Sequence, residues 1–111
     1  MTNSEVVRSL FAAYRAQDRG AAMTMLANDF VFTSPQDDHI DKATYLDRCF
    51  PTASRFRWQR LLHVLDISDE DVFVLYEYEL HTGARYRNVE VITVRDGEVV
   101  ETQVYFGGRG A

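Results

Sequence analysis

The sequence predicts an α+β domain with about three N-terminal helices packed on one face of a strongly curved antiparallel sheet. Three observations lead there. Helical periodicity fills the first half of the chain. Two-residue alternation, punctuated by turn signals, fills the second. No internal repeat, linker or low-complexity stretch interrupts the 111 residues, so 1–111 reads as one domain.

Thr2 to Glu5 has the Thr-x-x-Glu pattern of a capping box. Val6, Leu10 and Tyr14 then recur at helical spacing, with Val7 and Phe11 beside them, which predicts an amphipathic helix. Asp18 can cap a second helix through Leu26, with Ala22, Met25 and Leu26 facing inward. Phe30 to Thr33 reads as a short strand ended by Ser34-Pro35, because proline cannot donate to a ladder. Gln36 to Asp41 reads as a polar loop. Asp41 can cap a third helix through Phe50, with Pro51 at its stop. Arg55 to Ile67 is a long strand candidate, followed by the acidic turn Ser68 to Asp71. Val72 to Thr82 alternates most clearly. Thr82-Gly83 is a turn, Arg85 to Arg95 the next strand, and Asp96-Gly97 a strong two-residue hairpin signal. Val99 to Phe106 is the last strand. Gly107 to Gly110 reads as a fraying tail, so that 106–111 is expected to be flexible.

With 46% hydrophobic and 26% charged residues, the chain has the composition of a globular domain. Its net charge of -5 and scattered arginines argue against nucleic acid and against an anionic membrane surface. No apolar run approaches a membrane span, and the N-terminus lacks a signal-peptide pattern, so the cytoplasm is the expected location. Cys49 is the only cysteine, which excludes an intrachain disulfide. His39, His63 and His81 show no ligand spacing, so no metal is expected. No glycine-rich phosphate loop is present, and no cofactor is expected.

Several residues carry possible chemistry. Glu90 stands mid-strand between Val89 and Val91 and shares a face with Asn88 and Ile92. On a pocket face, burial would raise its pKa and make it a proton donor or base near neutrality. On the other face it would be a solvated glutamate. Asn88 could hold its carboxylate or a ligand oxygen. Arg87 would point the opposite way, into a surface ion pair. Asp37, Asp38 and His39 lie in a polar loop, where an Asp–His pair could act as base and orienter. Tyr45 and Cys49, four apart on a helix, share a face and could line a pocket. Cys49 could be a nucleophile only with a base or cation beside it, and is otherwise a small core residue. Trp58 is an aromatic candidate for the pocket wall. Tyr76 and Tyr78, with Val89 and Val91, would form an outer apolar stripe, unless the hairpin register reverses the faces.

The order of elements resembles the SnoaL-like branch of the nuclear-transport-factor-2-like superfamily. The likeness rests on Leu10 to Asp18, Leu26 to Pro35, Val91 to Gly97 and Val99 to Phe106. In relatives the last stretch often ends Tyr-Phe-Asp, where this chain has Gly107. The resemblance implies a cone with a mostly apolar pocket, and a homodimer formed through the sheet face. Ketosteroid isomerases of this superfamily use a carboxylate base, a tyrosine and a protonated acid. Those positions fall on Ser34, Leu10 and Glu90, and a further pocket tyrosine falls on Cys49. Ser34 and Leu10 cannot do the isomerase chemistry, so Glu90 is the one acid left in the pocket wall. Thr102, Val104 and Phe106 match pocket-facing positions. The resemblance thus implies a pocket for a small apolar carbonyl or hydroxyl compound. The expected activity is cofactor-independent isomerisation, cyclisation, dehydration or hydrolysis. The alternative is a non-catalytic dimerising or ligand-binding module with a degenerate pocket.

Overall fold

A computed structural model describes residues 1–109. Helix α1 spans Asn3–Ala16, and its capping box forms as the sequence predicts: Glu5 N–H donates to Thr2 Oγ1, and Thr2 N–H to Glu5 Oε1. Gln17 ends it in the left-handed region, at φ 56°. Helix α2 (Arg19–Met25) starts at the Asp18 cap but ends one residue early, because Leu26 is already extended. Strand β1 (Leu26–Thr33) therefore begins before Phe30. Two residues read as loop form strand β2 (Ile40–Asp41) against β1. Helix α3 (Lys42–Arg48) stops short of Phe50, and a 3-10 helix, Phe50–Arg55, takes up Pro51 in its first turn. Strands β3 (Phe56–Asp66), β4 (Asp71–Leu80) and β5 (Arg85–Arg95) follow as antiparallel neighbours. At Asp96 and Gly97, φ values of 53° and 78° suit the tight hairpin that Asp-Gly favours.

Strand β6 spans Glu98–Arg109, so the chain from Gly107 to Arg109 is strand where the sequence suggests a tail. A register shift opposite Tyr86 to Asn88 lets Gly107 lie against the backbone of β5. Gly110 and Ala111 fall outside the described residues. The sheet order is β2-β1-β6-β5-β4-β3. β6 runs parallel to β1, and the other neighbours are antiparallel.

The β4–β5 register decides what each strand face does. Val72 opposes Ile92, Val74 opposes Glu90, Tyr76 opposes Asn88 and Tyr78 opposes Tyr86. These even-numbered residues face the helices. Val72, Val74, Ile92 and Val94 join Val6, Val7, Leu10 and Phe11 of α1 in the core, with Leu26, Phe30 and Val99. Further along the strands the core gives way to a cavity.

The outer face takes the odd-numbered residues. Phe73, Leu75, Val89 and Val91 make its apolar part, only partly buried. Tyr76 and Tyr78 do not belong to it: with residues of like parity paired, they turn inward. The rest of this face is ionic. Arg87 Nε meets Glu77 at 3.0 Å, while Glu79 sits between Arg57 at 3.1 Å and Arg85 at 2.8 Å. Trp58 pairs with Glu79 across the strands, and the guanidinium groups of Arg60 and Arg85 lie 5.2 and 5.7 Å from its ring. Trp58 is thus an outer-face residue and not part of the pocket wall. Among the described residues, no helix is long and apolar enough to cross a membrane.

Candidate active site

Between the helices and the concave side of the sheet lies a cavity of about 760 Å³. That volume suits a drug-sized molecule. Leu10, Phe11 and Tyr14 of α1 form one wall, and Tyr45 and Cys49 another. Tyr76 and Tyr78 of β4, Asn88 and Glu90 of β5, and Thr102, Val104 and Phe106 of β6 complete the sheet side. The lining has this composition because even positions on the paired strands β4 and β5 switch from Val and Ile at one end to Tyr, Asn and Glu at the other, while β6 adds Thr102, Val104 and Phe106.

Glu90 is enclosed by protein and borders the cavity. Burial pushes its pKa up to about 7, only partly opposed by the hydrogen bond from Tyr76. Tyr76 Oη donates to Glu90 Oε2 at 2.7 Å, and Asn88 Nδ2 donates to Tyr76 Oη at 3.2 Å. The phenols of Tyr76 and Tyr45 are held far above their usual range, first by burial and then by the charge of Glu90. Both stay neutral as donors. Tyr14 shares the trend, with its hydroxyl 2.6 Å from Thr52 Oγ1.

A second polar group lies at the Ser34 side of the cavity. Arg48 Nη1 contacts Asp37 Oδ1 at 2.8 Å, Ser34 Oγ donates to Asp37 Oδ2 at 3.3 Å, and the Cys49 thiol donates to it at 3.6 Å. Burial and the Asp37 carboxylate push the Cys49 thiol up to about 12. Cys49 is therefore held as the neutral thiol at physiological pH, the weakly nucleophilic form.

The fold thus brings together Glu90, Asn88, Tyr45, Cys49, Thr102, Val104 and Phe106 around one space. It does not bring in Asp38 or His39. Their side chains pair with each other but point to solvent, with Asp38 91% and His39 68% exposed. The loop turns them outward while their neighbour Asp37 turns in, and His39 itself sits at a left-handed φ of 49°. Among the described residues, no cluster of three or more His, Cys, Asp or Glu side chains is arranged to hold a metal ion.

The sequence reading missed an aromatic row across the sheet. Phe56 stacks on Tyr78 at 4.6 Å, Tyr78 on Tyr86 at 5.5 Å, and Tyr86 meets Phe106 at 5.7 Å. Phe56, Tyr78, Tyr86 and Phe106 all line the cavity. The signal was present in the hairpin: pairing Tyr78 with Tyr86 implies pairing Tyr76 with Asn88, two residues from Glu90.

Comparison with known proteins places this geometry in context. Among proteins of curated function, none matches the chain in sequence. In structure it is similar to an NTF2-like protein of unknown function from Cytophaga hutchinsonii, with a TM-score of 0.81 and 19% identity over 96% of this chain and 90% of that one. An NTF2-like protein from Burkholderia thailandensis matches with a TM-score of 0.76 and 20% identity, covering 96% and 91%. A protein from Pseudomonas putida named "putative polyketide cyclase" matches with a TM-score of 0.70 and 18% identity, covering 96% and 92%. At these identities the likeness shows the NTF2-like fold. The model of the SnoaL-like domain matches residues 7–102, from within α1 to the first part of β6, and the chain belongs to that family.

Proposed function

We propose that this chain is a cofactor-independent enzyme that moves a proton on a small, largely apolar carbonyl or hydroxyl compound. The observation that carries the reading is the carboxyl of Glu90, which is set in the cavity wall with no cation beside it and which burial pushes up to about 7, whereas the other lining carboxyl, Asp37, is paired with Arg48. Such a group can take and return a proton at neutral pH, which is what general acid–base catalysis requires. Tyr76 would steady the carboxylate, and Tyr45 would offer a neutral phenol to the substrate. Isomerisation, ring closure, dehydration and hydrolysis all fit this equipment. A second copy of the chain, bound through the apolar part of the outer sheet face, is proposed as its partner.

A second reading draws on Ser34 and Leu10, which lack the groups that acid–base relatives place there. It makes the domain a binding or dimerising module without turnover.

A melting-temperature screen against phenols, polycyclic ketones, epoxides and steroids tests the pocket. A ligand at a hundred times its Kd adds about 2.7 kcal/mol, a shift on the order of 10 °C here. Deuterium exchange of a ketone that binds, followed by NMR, then tests catalysis. Glu90→Gln should slow exchange about a hundredfold or more. Full exchange in that variant would exclude Glu90 as the acid–base group. Binding without exchange in the native protein favours the second reading.

A further inference from the structure

The Glu90 carboxyl has one oxygen engaged and one free. Tyr76 gives its single hydroxyl proton to Glu90 Oε2 at 2.7 Å, and Asn88 Nδ2 donates to the Tyr76 oxygen at 3.2 Å. Tyr76 is the one group that hydrogen-bonds the Glu90 carboxyl, so Oε1 is unpartnered. Among the described residues, the one unpartnered side-chain oxygen or nitrogen sealed inside the protein is Asn88 Oδ1. Glu90 Oε1 is therefore open, and it opens on the cavity that Glu90 lines. Tyr45 Oη is likewise unpartnered and unsealed, and it stands near enough for the charge of Glu90 to act on it.

No cation of the chain answers this carboxyl. The cations of the lining are Arg48 and Arg55; both are exposed, Arg48 is paired with Asp37, and neither shifts Glu90. The titratable groups around Glu90 are neutral: Tyr14 of α1, Tyr45 and Cys49 at α3, and Tyr76 of β4. Strand β6 brings Val104 opposite Glu90, with Thr102 beside it. Rings flank the same space. Phe11 meets Tyr76 edge-on at 5.3 Å, Tyr76 lies 6.0 Å from Tyr78, and all three line the cavity. A carboxylate out of water is costly until a cation pairs with it, and aromatic faces attract cations. We propose that this end of the cavity takes the ammonium group of an apolar amine, with Glu90 Oε1 as counter-ion and Tyr45 Oη as a second acceptor. The proposal rests on the reading of the cavity as a ligand site. An amine held there occupies the acid–base group, so it competes with the carbonyl or hydroxyl compound and is not turned over.

The test compares 2-naphthylmethylamine with 2-naphthalenemethanol, which has the same shape and no charge. Titration at pH 8 keeps Glu90 largely ionised and the amine protonated. The native protein should bind the amine about tenfold more tightly there. At pH 5, where Glu90 holds its proton, the preference should vanish. Glu90→Gln should retain the alcohol and show no preference at either pH. Equal affinities in the native protein at pH 8 would overturn the ammonium site alone, as would a preference that persists at pH 5 or in Glu90→Gln. The native comparison across pH decides even where the variant fails to fold. If neither probe binds, the ammonium site and the cavity's role as a ligand site fall together.

Discussion

Glu90 keeps its proton to about pH 7 because burial penalises its charged form more than the hydrogen bond from Tyr76 favours it. In the unfolded chain the same carboxyl titrates near 4.5. Between these values the folded state holds more protons, so stability falls as pH rises through the window. Below it the contribution is fully present, and above it the penalty is complete. The cost is about 3 kcal/mol at pH 8 from this residue alone. Glu90→Gln removes the charge, and the variant is expected to be more stable than the native chain at pH 8 and equal to it at pH 4. Urea unfolding at the two pH values checks this; the same gain at both would mean that Glu90 does not titrate as described. Glu90 was legible in the sequence because a lone carboxylate between two valines on a strand stands out. Its partner Tyr76 was not. Alternation tells which residues share a face, but only the hairpin register tells which face is inside. The loop residues Asp38 and His39 failed for a related reason. Their composition suggests chemistry, yet the backbone of a loop decides where each side chain points.

At the scale of elements, the longest departure from expectation is the end of β6. Glycines weaken strands, so Gly107-Gly108 reads as a loss of structure. The packing shows the opposite need: a Cβ on Gly107 would stand 2.4 Å from the carbonyl oxygen of Arg87. No other residue lets β6 approach β5 there. Gly107→Ala should therefore cost about 1–3 kcal/mol, as overpacking does. A urea midpoint unchanged by this substitution would show that the strand end carries little of the fold. The helices were easier to read. Thr2, Asp18 and Asp41 each accept the backbone N–H that a cap should, because capping is a matter of local sequence. Their C-terminal ends shifted where tertiary pairing claimed residues for strands, as at Leu26.

Over the whole molecule, the α+β class was written in the switch from helical to alternating periodicity. Closure of the cavity was not, because it depends on long-range register among β4, β5 and β6. The outer face raises the question of assembly. Leu65 and Tyr105, 53% and 54% exposed, extend the apolar part formed by Phe73, Leu75, Val89 and Val91. Light scattering at high micromolar concentration should give twice the 12.8 kDa chain mass, and Val91→Lys should return it to one. A single-chain mass for the native protein would remove the proposed partner. The sheet order has one more outcome. β6 lies between β1 and β5, although it is synthesised after both. A nascent chain that has not yet released β6 from the ribosome holds two bare strand edges, and such edges are templates for aggregation. The middle of this sheet is therefore its last part to be made, and the growing polypeptide must wait for it.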